Sequence, residues 1–377
     1  MTSNDPRSGV TPIPDTVIAW LSLARETAFG TWLNQLEGPQ QLLCASLRPA
    51  SSDASFRRYF RIDAAQGCRI IMDAPPEKED SRPFVRVAEL MRGAGLHAPE
   101  ILAWDEAQGF MLLTDLGAKT MMQMIDRERP EANLALYLQA VDALITWQRS
   151  SRPGVLPPYD EALLRRELEL FPEWYLTRHR GVQVEGAIRR TLDDMFNLII
   201  AQNLSWPSVF VHRDFMPRNL MVPTAARPPL TQGERMGEGD PRMGVLDFQD
   251  AVFGPITYDI ASLMRDAFLS WDEAFVLDIT VRYWQQARTV GLPVGGDFGE
   301  FYRGVEWMGL QRHLKVAGIF ARLTLRDGKP QYLADTPRFV HYIRTTASRY
   351  RELKPLLRLV DQVEGIADVG GFAFGRF

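Results

Sequence analysis

From Asp15 to about Leu36, the apolar residues Val17, Ile18, Trp20, Leu21, Leu23 and Ala24 recur near helical spacing, and Asp15 stands where a carboxylate can cap a first turn. One or two lead-in helices are predicted. The period then shortens. Leu42 to Leu47, Arg57 to Ile62, Arg69 to Met72, Ile101 to Trp104 and Phe110 to Leu113 are brief runs separated by turn material such as Ala65-Gln66-Gly67 and Gln108-Gly109. They predict a small sheet. Arg82 to Met91 alone reads as helix within this region, stopped by Gly93 and Gly95.

Beyond Leu116 the pattern becomes helical, with Glu131 to Gln148, Glu161 to His179 and Ala187 to Ala201 as long amphipathic segments. Short apolar runs at Ser208 to Val211, Leu220 to Val222 and Met243 to Leu246 interrupt it and read as strands. Between the last two, Pro223 to Arg242 is rich in Pro and Gly and reads as a long, mobile hairpin tip. Helices resume near Ile256 and run to about Leu357, and the glycine-bearing end reads as a loose tail. The expected organisation is a lead-in at 1–38, a sheet lobe at 39–116, a helical lobe at 117–360 and a flexible tail at 361–377. The fold class is therefore α+β, a small antiparallel-sheet lobe followed by a larger, mainly helical one.

Composition narrows the function classes. The chain has 377 residues, with 46% hydrophobic and 24% charged positions, enough apolar material for a sizeable core. A formal charge of −4 argues against a broad electrostatic grip on nucleic acid or an anionic membrane. Cys44 and Cys68 are too few for a disulfide framework and show no metal-ligand spacing. The first fourteen residues carry neither the charged start nor the apolar middle of a signal peptide, and no run approaches the roughly 18 apolar residues of a membrane span. A cytoplasmic protein is expected.

The candidate chemistry lies in His212-Arg213-Asp214-Phe215-Met216-Pro217-Arg218-Asn219, which fits the H-R-D-x-x-x-x-N catalytic loop of kinases at every defined position. The next strand leads into Asp247-Phe248-Gln249, where kinases place D-F-G. Singly, each of Asp214, Asn219 and Asp247 would pass for a turn residue that bonds nearby amides. In this order they match the parts of phosphoryl transfer. Asn219 and Asp247 supply the hard oxygen ligands that Mg²⁺ takes beside ATP phosphates, and Asp214 meets the acceptor hydroxyl and takes its proton. His212 reads as a strut that shapes the loop.

The motifs Val211 to Asn219 and Val245 to Phe248, followed by Gly254-Pro255-Ile256-Thr257-Tyr258-Asp259-Ile260-Ala261, resemble the aminoglycoside phosphotransferase and choline kinase superfamily, whose fold is protein-kinase-like with two lobes. Further segments narrow the likeness. Ser51 to Arg61, Met72 to Pro76, Arg166-Glu167-Leu168 to Pro172 with Trp174-Tyr175, and Gln311-Arg312-His313-Leu314-Lys315 resemble the anomeric N-acetylmuramate/N-acetylglucosamine kinases of bacterial cell-wall recycling. The resemblance runs from about Leu42 to Tyr342. It implies ATP-dependent phosphorylation of the anomeric hydroxyl of an amino sugar, with Asp214 as base. It also implies that Ser51, Ser52 and Ser55 form a turn over the phosphates, and that Leu113, Asp115 and Leu116 form a hinge offering backbone bonds to adenine.

One position departs from the kinase template. Where a third-strand lysine should hold the α and β phosphates, Arg69-Ile70-Ile71-Met72-Asp73 has none, so Arg57, Arg58 or Lys78 is expected to take over. Arginines suited to a lactyl carboxylate point to Arg178, His179, Arg312, His313 and Lys315 as candidate sugar contacts, together with Asp250 and Trp174. Asp259 is expected to bond backbone near the catalytic loop. Glycine, proline and a Tyr-Asp pair follow Asp247 too soon for a peptide-binding activation segment, so a small acceptor is favoured. The alternatives are an aminoglycoside phosphotransferase and a catalytically silent nucleotide-binding module. No protein partner is inferred.

Overall fold

The structure is a computed structural model that describes residues 18, 20, 22–52, 56–223 and 242–366. The expected hairpin tip and tail fall largely on 224–241 and 367–377, outside the described residues, as does Asp15. Contacts divide the chain into two units. The first comprises residues up to Val85 with Pro99–Asp115, and the second Arg86–Ala98 with the chain from Leu116 onward. Residues 86–98, expected in the first lobe, are thus grouped with the second.

In the first unit, helix α1 (Leu23–Gln40) starts at Ser22, whose hydroxyl accepts the Arg25 amide. Strands β1 (Leu42–Ser52), β2 (Arg58–Ala64), β3 (Gly67–Asp73), β4 (Ile101–Asp105) and β5 (Phe110–Thr114) form one antiparallel sheet in the order β1-β2-β3-β5-β4. β1 continues well past Leu47, so Ser51 and Ser52 end a strand opposite Tyr59 and Arg58 rather than forming the turn expected for them; Ser55 lies outside the described residues. The sheet buries Phe60, Ile62, Ile71, Phe110 and Leu112 against Phe29, Trp32 and Leu33 of α1. Phe29 and Phe110 meet edge to face at 5.4 Å, the arrangement that aromatic quadrupoles favour. Gly109, with φ of 70°, turns the chain into β5 where a Cβ would lie 1.9 Å from the Ala74 carbonyl oxygen.

Helix α2 (Arg82–Gly93) crosses the division between the units. The second unit carries α3 (Met121–Met124), α4 (Leu134–Arg149), α5 (Glu161–Leu168) and α6 (Gly186–Leu204). The segment from Glu161 to His179 is not one α-helix. Pro172 lacks the amide that would continue the ladder, so α5 ends at Leu168 and Phe171–His179 winds as a wider π-helix. β6 (Ser208–Val211) pairs with β9 (Val252–Pro255), and β7 (Leu220–Met221) with β8 (Gly244–Val245). α7 (Thr257–Met264), α8 (Glu273–Thr289), α9 (Phe298–Leu325), α10 (Thr336–Arg349) and α11 (Lys354–Glu364) complete the unit, so helix persists into the expected tail.

α9 is the central strut of this unit. Every residue from Gly304 to Lys315 is buried, as befits a helix surrounded on all faces. It approaches the residues just before the π-helix so closely that a Cβ on Gly318 would lie 2.3 Å from the Leu170 carbonyl oxygen.

Candidate active site

β6 runs directly into the catalytic loop, and two hairpin-like pairings hold that loop in place. His212 is fully buried. Its Nε2 donates to the Leu246 carbonyl at 2.9 Å, while its Nδ1 accepts the Asp214 amide at 3.2 Å, which fixes the tautomer. Burial pushes its pKa down to about 4, so the ring is a neutral strut, as expected. Asp259, from the first turn of α7, accepts the His212 amide on Oδ2 at 2.7 Å and the Arg213 amide on Oδ1 at 3.1 Å. Its complete burial raises its pKa to about 7, against the pull of those amides.

These contacts support an unusual backbone. Arg213 has φ of 78° and Asp247 φ of 62°, left-handed conformations that side-chain-bearing residues rarely adopt and that cluster at functional sites. The Arg213 carbonyl is held by Arg312 Nη1 at 2.7 Å.

The three residues singled out for chemistry come together. Asn219 Nδ2 donates to the Asp214 carbonyl at 2.9 Å and to Asp247 Oδ2 at 3.2 Å, leaving Asn219 Oδ1 as an acceptor for a cation. Asp247 Oδ1 accepts Gln249 Nε2 at 2.9 Å. Leu246 N also bonds the Asn219 carbonyl at 2.9 Å, tying the two motifs by backbone. Asp214 is half-buried and Asp250 exposed. Among the described residues no group of three or more His, Cys, Asp or Glu side chains could hold a metal. The Asn219–Asp247 pair offers hard oxygen donors of the kind that a divalent cation uses when phosphate and water complete its shell.

A buried polar cluster backs the loop. Glu167 of α5 accepts Lys315 Nζ at 2.9 Å, Gln311 Nε2 at 3.0 Å, the Tyr159 hydroxyl and Arg213 Nη2. Burial alone would raise its pKa, yet the adjacent Lys315 and Arg213 charges hold it down to about 2. The Arg312 guanidinium lies 4.7 Å from the Tyr258 ring centroid. Sequence reasoning gave Glu167 no role, although the segment containing it was among those that carried the family likeness.

The other candidate sugar contacts are dispersed. Arg178 stacks over Trp174 at 4.3 Å on the π-helix. His179 borders a cavity of about 410 Å³ shared with Arg180, His341, Arg344 and Glu364, and no catalytic-loop residue lines it. His313 is in the core, stacked on Tyr342 with centroids 4.4 Å apart and its Nε2 3.2 Å from the Arg265 carbonyl. Of the expected substrate cations, Arg312 and Lys315 are the ones that the structure links to the catalytic loop.

Burial of His313, with Arg265 and Arg312 nearby, pushes its pKa down to about 3. A folded-state pKa below the unfolded value of about 6.5 means that the stability it contributes is full above that pH and is lost as pH falls toward 3. Thermal unfolding between pH 7 and 4 should show this. His313→Phe keeps the ring contact and should flatten the pH slope by up to about 1.4 kcal/mol per pH unit. An unchanged slope would mean that the ring titrates normally in the fold.

In the first unit Met72 is wholly buried and pairs with Tyr59 and Met111. Asp73 receives Arg25 Nε at 3.1 Å and Arg58 Nε at 3.0 Å, Arg57 lies 3.2 Å from Glu79, and Lys78 sits 4.7 Å from the Phe56 ring. Leu113 is within β5. The Asp115 carboxylate is bonded by Arg61 at 2.6 and 3.1 Å. Leu116 is buried at the start of the second unit.

A family model described as the phosphotransferase enzyme family matches residues 46–293. The chain is 49% identical over 324 residues to an N-acetylmuramate/N-acetylglucosamine kinase of Pseudomonas aeruginosa, covering 86% of this chain and 90% of that protein. It is 45% identical over 328 residues to the protein of that name from Neisseria meningitidis serogroup B, covering 86% and 93%. Among solved structures, a choline/ethanolamine kinase family protein from Mesorhizobium loti superposes with a TM-score of 0.55 at 14% identity, over 84% of this chain and 92% of that one. An ADP-bound aminoglycoside phosphotransferase gives a TM-score of 0.52 at 14% identity, over 82% and 96%. At such identities the last two share the fold. No described helix is long and apolar enough to cross a membrane.

Proposed function

The chain belongs to the phosphotransferase enzyme family, grouping within it with the N-acetylmuramate/N-acetylglucosamine kinases, and on that premise we propose that it moves the γ-phosphoryl group of Mg-ATP to the anomeric hydroxyl of N-acetylmuramate or N-acetylglucosamine. The observation that carries this reading is the Asn219 amide joining the Asp214 backbone to the Asp247 carboxylate, so that base and cation ligands share one rigid frame.

In this scheme the anomeric oxygen forms a bond to the γ phosphorus while the bond from that phosphorus to the β–γ bridging oxygen breaks, releasing ADP and the sugar 1-phosphate. Asp214 orients the hydroxyl and takes its proton. The anomeric hydroxyl is the most acidic on such a sugar, because the ring oxygen withdraws electron density, which suits a carboxylate acceptor. Asn219 Oδ1 and Asp247 would hold magnesium, which supplies neutralisation of the charge that builds on the phosphate oxygens. Arg312, whose Nη1 holds the loop carbonyl, is the cation proposed to meet a lactyl carboxylate. The Ser51–Ser52 end of β1 and the backbone of Leu113 and Asp115 remain the proposed nucleotide contacts on the first unit.

The test is phosphorus NMR with Mg-ATP and a panel of acceptors. A new phosphate resonance coupled to the sugar H1, formed from N-acetylmuramate or N-acetylglucosamine, is the expected result. Phosphate on another hydroxyl would overturn the anomeric assignment, and transfer to kanamycin in its place would overturn the substrate class.

A further inference from the structure

The Arg of an H-R-D loop is a charged side chain whose partner decides the pose of the loop. In protein kinases that partner can be a phosphate added to the activation segment, which orders the loop through new arginine pairs. Here β9 follows Asp247 after a short turn and α7 begins at Thr257, which leaves no room for such a segment. Arg213 meets Glu167 instead.

We propose that Glu167 is a positioning residue for phosphoryl transfer, a resident counter-charge that fixes the Arg213 side chain, and through its left-handed backbone the aim of Asp214, with no added phosphate required. The idea rests on the kinase reading above and adds to it a residue outside the metal and base set.

The geometry separates this from ordinary core polarity. Glu167 is 5% exposed, and a buried carboxylate is costly unless its partners are complete. Its partners come from distinct parts of the chain: Tyr159 ahead of α5, Gln311 and Lys315 one turn apart on α9, and Arg213 on the catalytic loop. The Arg213 guanidinium is also one of several tethers on the same residue. Asp259 holds its amide and Arg312 its carbonyl, so backbone and side chain are both fixed. Arg166-Glu167-Leu168 and Gln311 to Lys315, remote in sequence, thus converge on the residue next to the proposed base.

Glu306 supplies a matched control. It is likewise a buried carboxylate, 2% exposed, bonded by Arg265, Arg349 and Tyr350, and none of its bonds reaches the catalytic loop. The experiment compares Glu167→Gln with Glu306→Gln in full-length protein, reading Tm, kcat and both KM values. A misaimed base costs on the order of 100-fold, so Glu167→Gln should lower kcat by about that factor with each KM within about threefold. Glu306→Gln should lower Tm comparably while kcat stays within about twofold. Should Glu167→Gln fail to fold, Arg213→Met breaks the same pair from the loop side and is expected to show the same kcat loss.

A folded Glu167→Gln or Arg213→Met enzyme with near-parental kcat would overturn the proposal, as would Glu306→Gln losing as much kcat as Glu167→Gln. If the parent enzyme phosphorylates no amino sugar, the substrate assignment fails separately. Basal ATP hydrolysis then still ranks the variants.

Discussion

Asp214→Asn lowers sugar-dependent ADP release by roughly a thousandfold or more, while nucleotide binds within a few fold of the parent. The amide keeps the shape of the side chain and lacks a basic oxygen lone pair able to take a full proton. The loop around it is fixed by other atoms: its amide by His212, its carbonyl by Asn219. The change therefore removes proton acceptance without dismantling the frame. A coupled ADP assay with calorimetric nucleotide titration separates the two effects. Turnover within tenfold of the parent would transfer the role of base to another group.

Asp247→Asn should be nearly as damaging by a different route. The carboxylate accepts Asn219 on one oxygen and Gln249 on the other, and its negative charge is what would attract magnesium into the site. The isosteric amide preserves volume and removes that charge. A loss of several kcal/mol in transition-state stabilisation corresponds to roughly 10²–10³ in kcat/KM. The Mg²⁺ concentration for half-maximal rate should rise by more than about tenfold, since the remaining protein ligand is a neutral amide. An unchanged magnesium dependence would show that Asp247 serves the loop and not the cation.

The parts of the site that could be read from sequence are those that lie within one short loop. His212, Asp214 and Asn219 stand at fixed spacing because the loop is a single turn out of β6, and Asp247 follows the β7–β8 pairing; both are local geometries that leave a local signature. Asp259 was expected to bond backbone near the catalytic loop, and its oxygens accept the His212 and Arg213 amides. Glu167 was not legible. Its bonds to Arg213 and α9 are made only when α5 and α9 pack together, and spacing along the chain carries no trace of them. The same blindness affected α9 itself. Its run of Arg312, His313 and Lys315 suggested sugar contacts, whereas this stretch of the helix is buried and sends the three side chains to the Arg213 carbonyl, the Arg265 carbonyl and Glu167. At 161–179 the apolar period was correct and the winding was not, because a single missing amide at Pro172 changes the turn and leaves the composition untouched.

Gly318 has a practical consequence. Replacing a helical glycine with alanine is a routine route to a more heat-resistant enzyme, worth about 1 kcal/mol where the site is open. In α9 that route is closed at Gly318, because a methyl group there would strike a peptide carbonyl that has nowhere to retreat. α1 offers the opening instead: Gly30 has no heavy atom within 4 Å of the added carbon, so stiffening of this enzyme can start at its first helix and leave the central one alone.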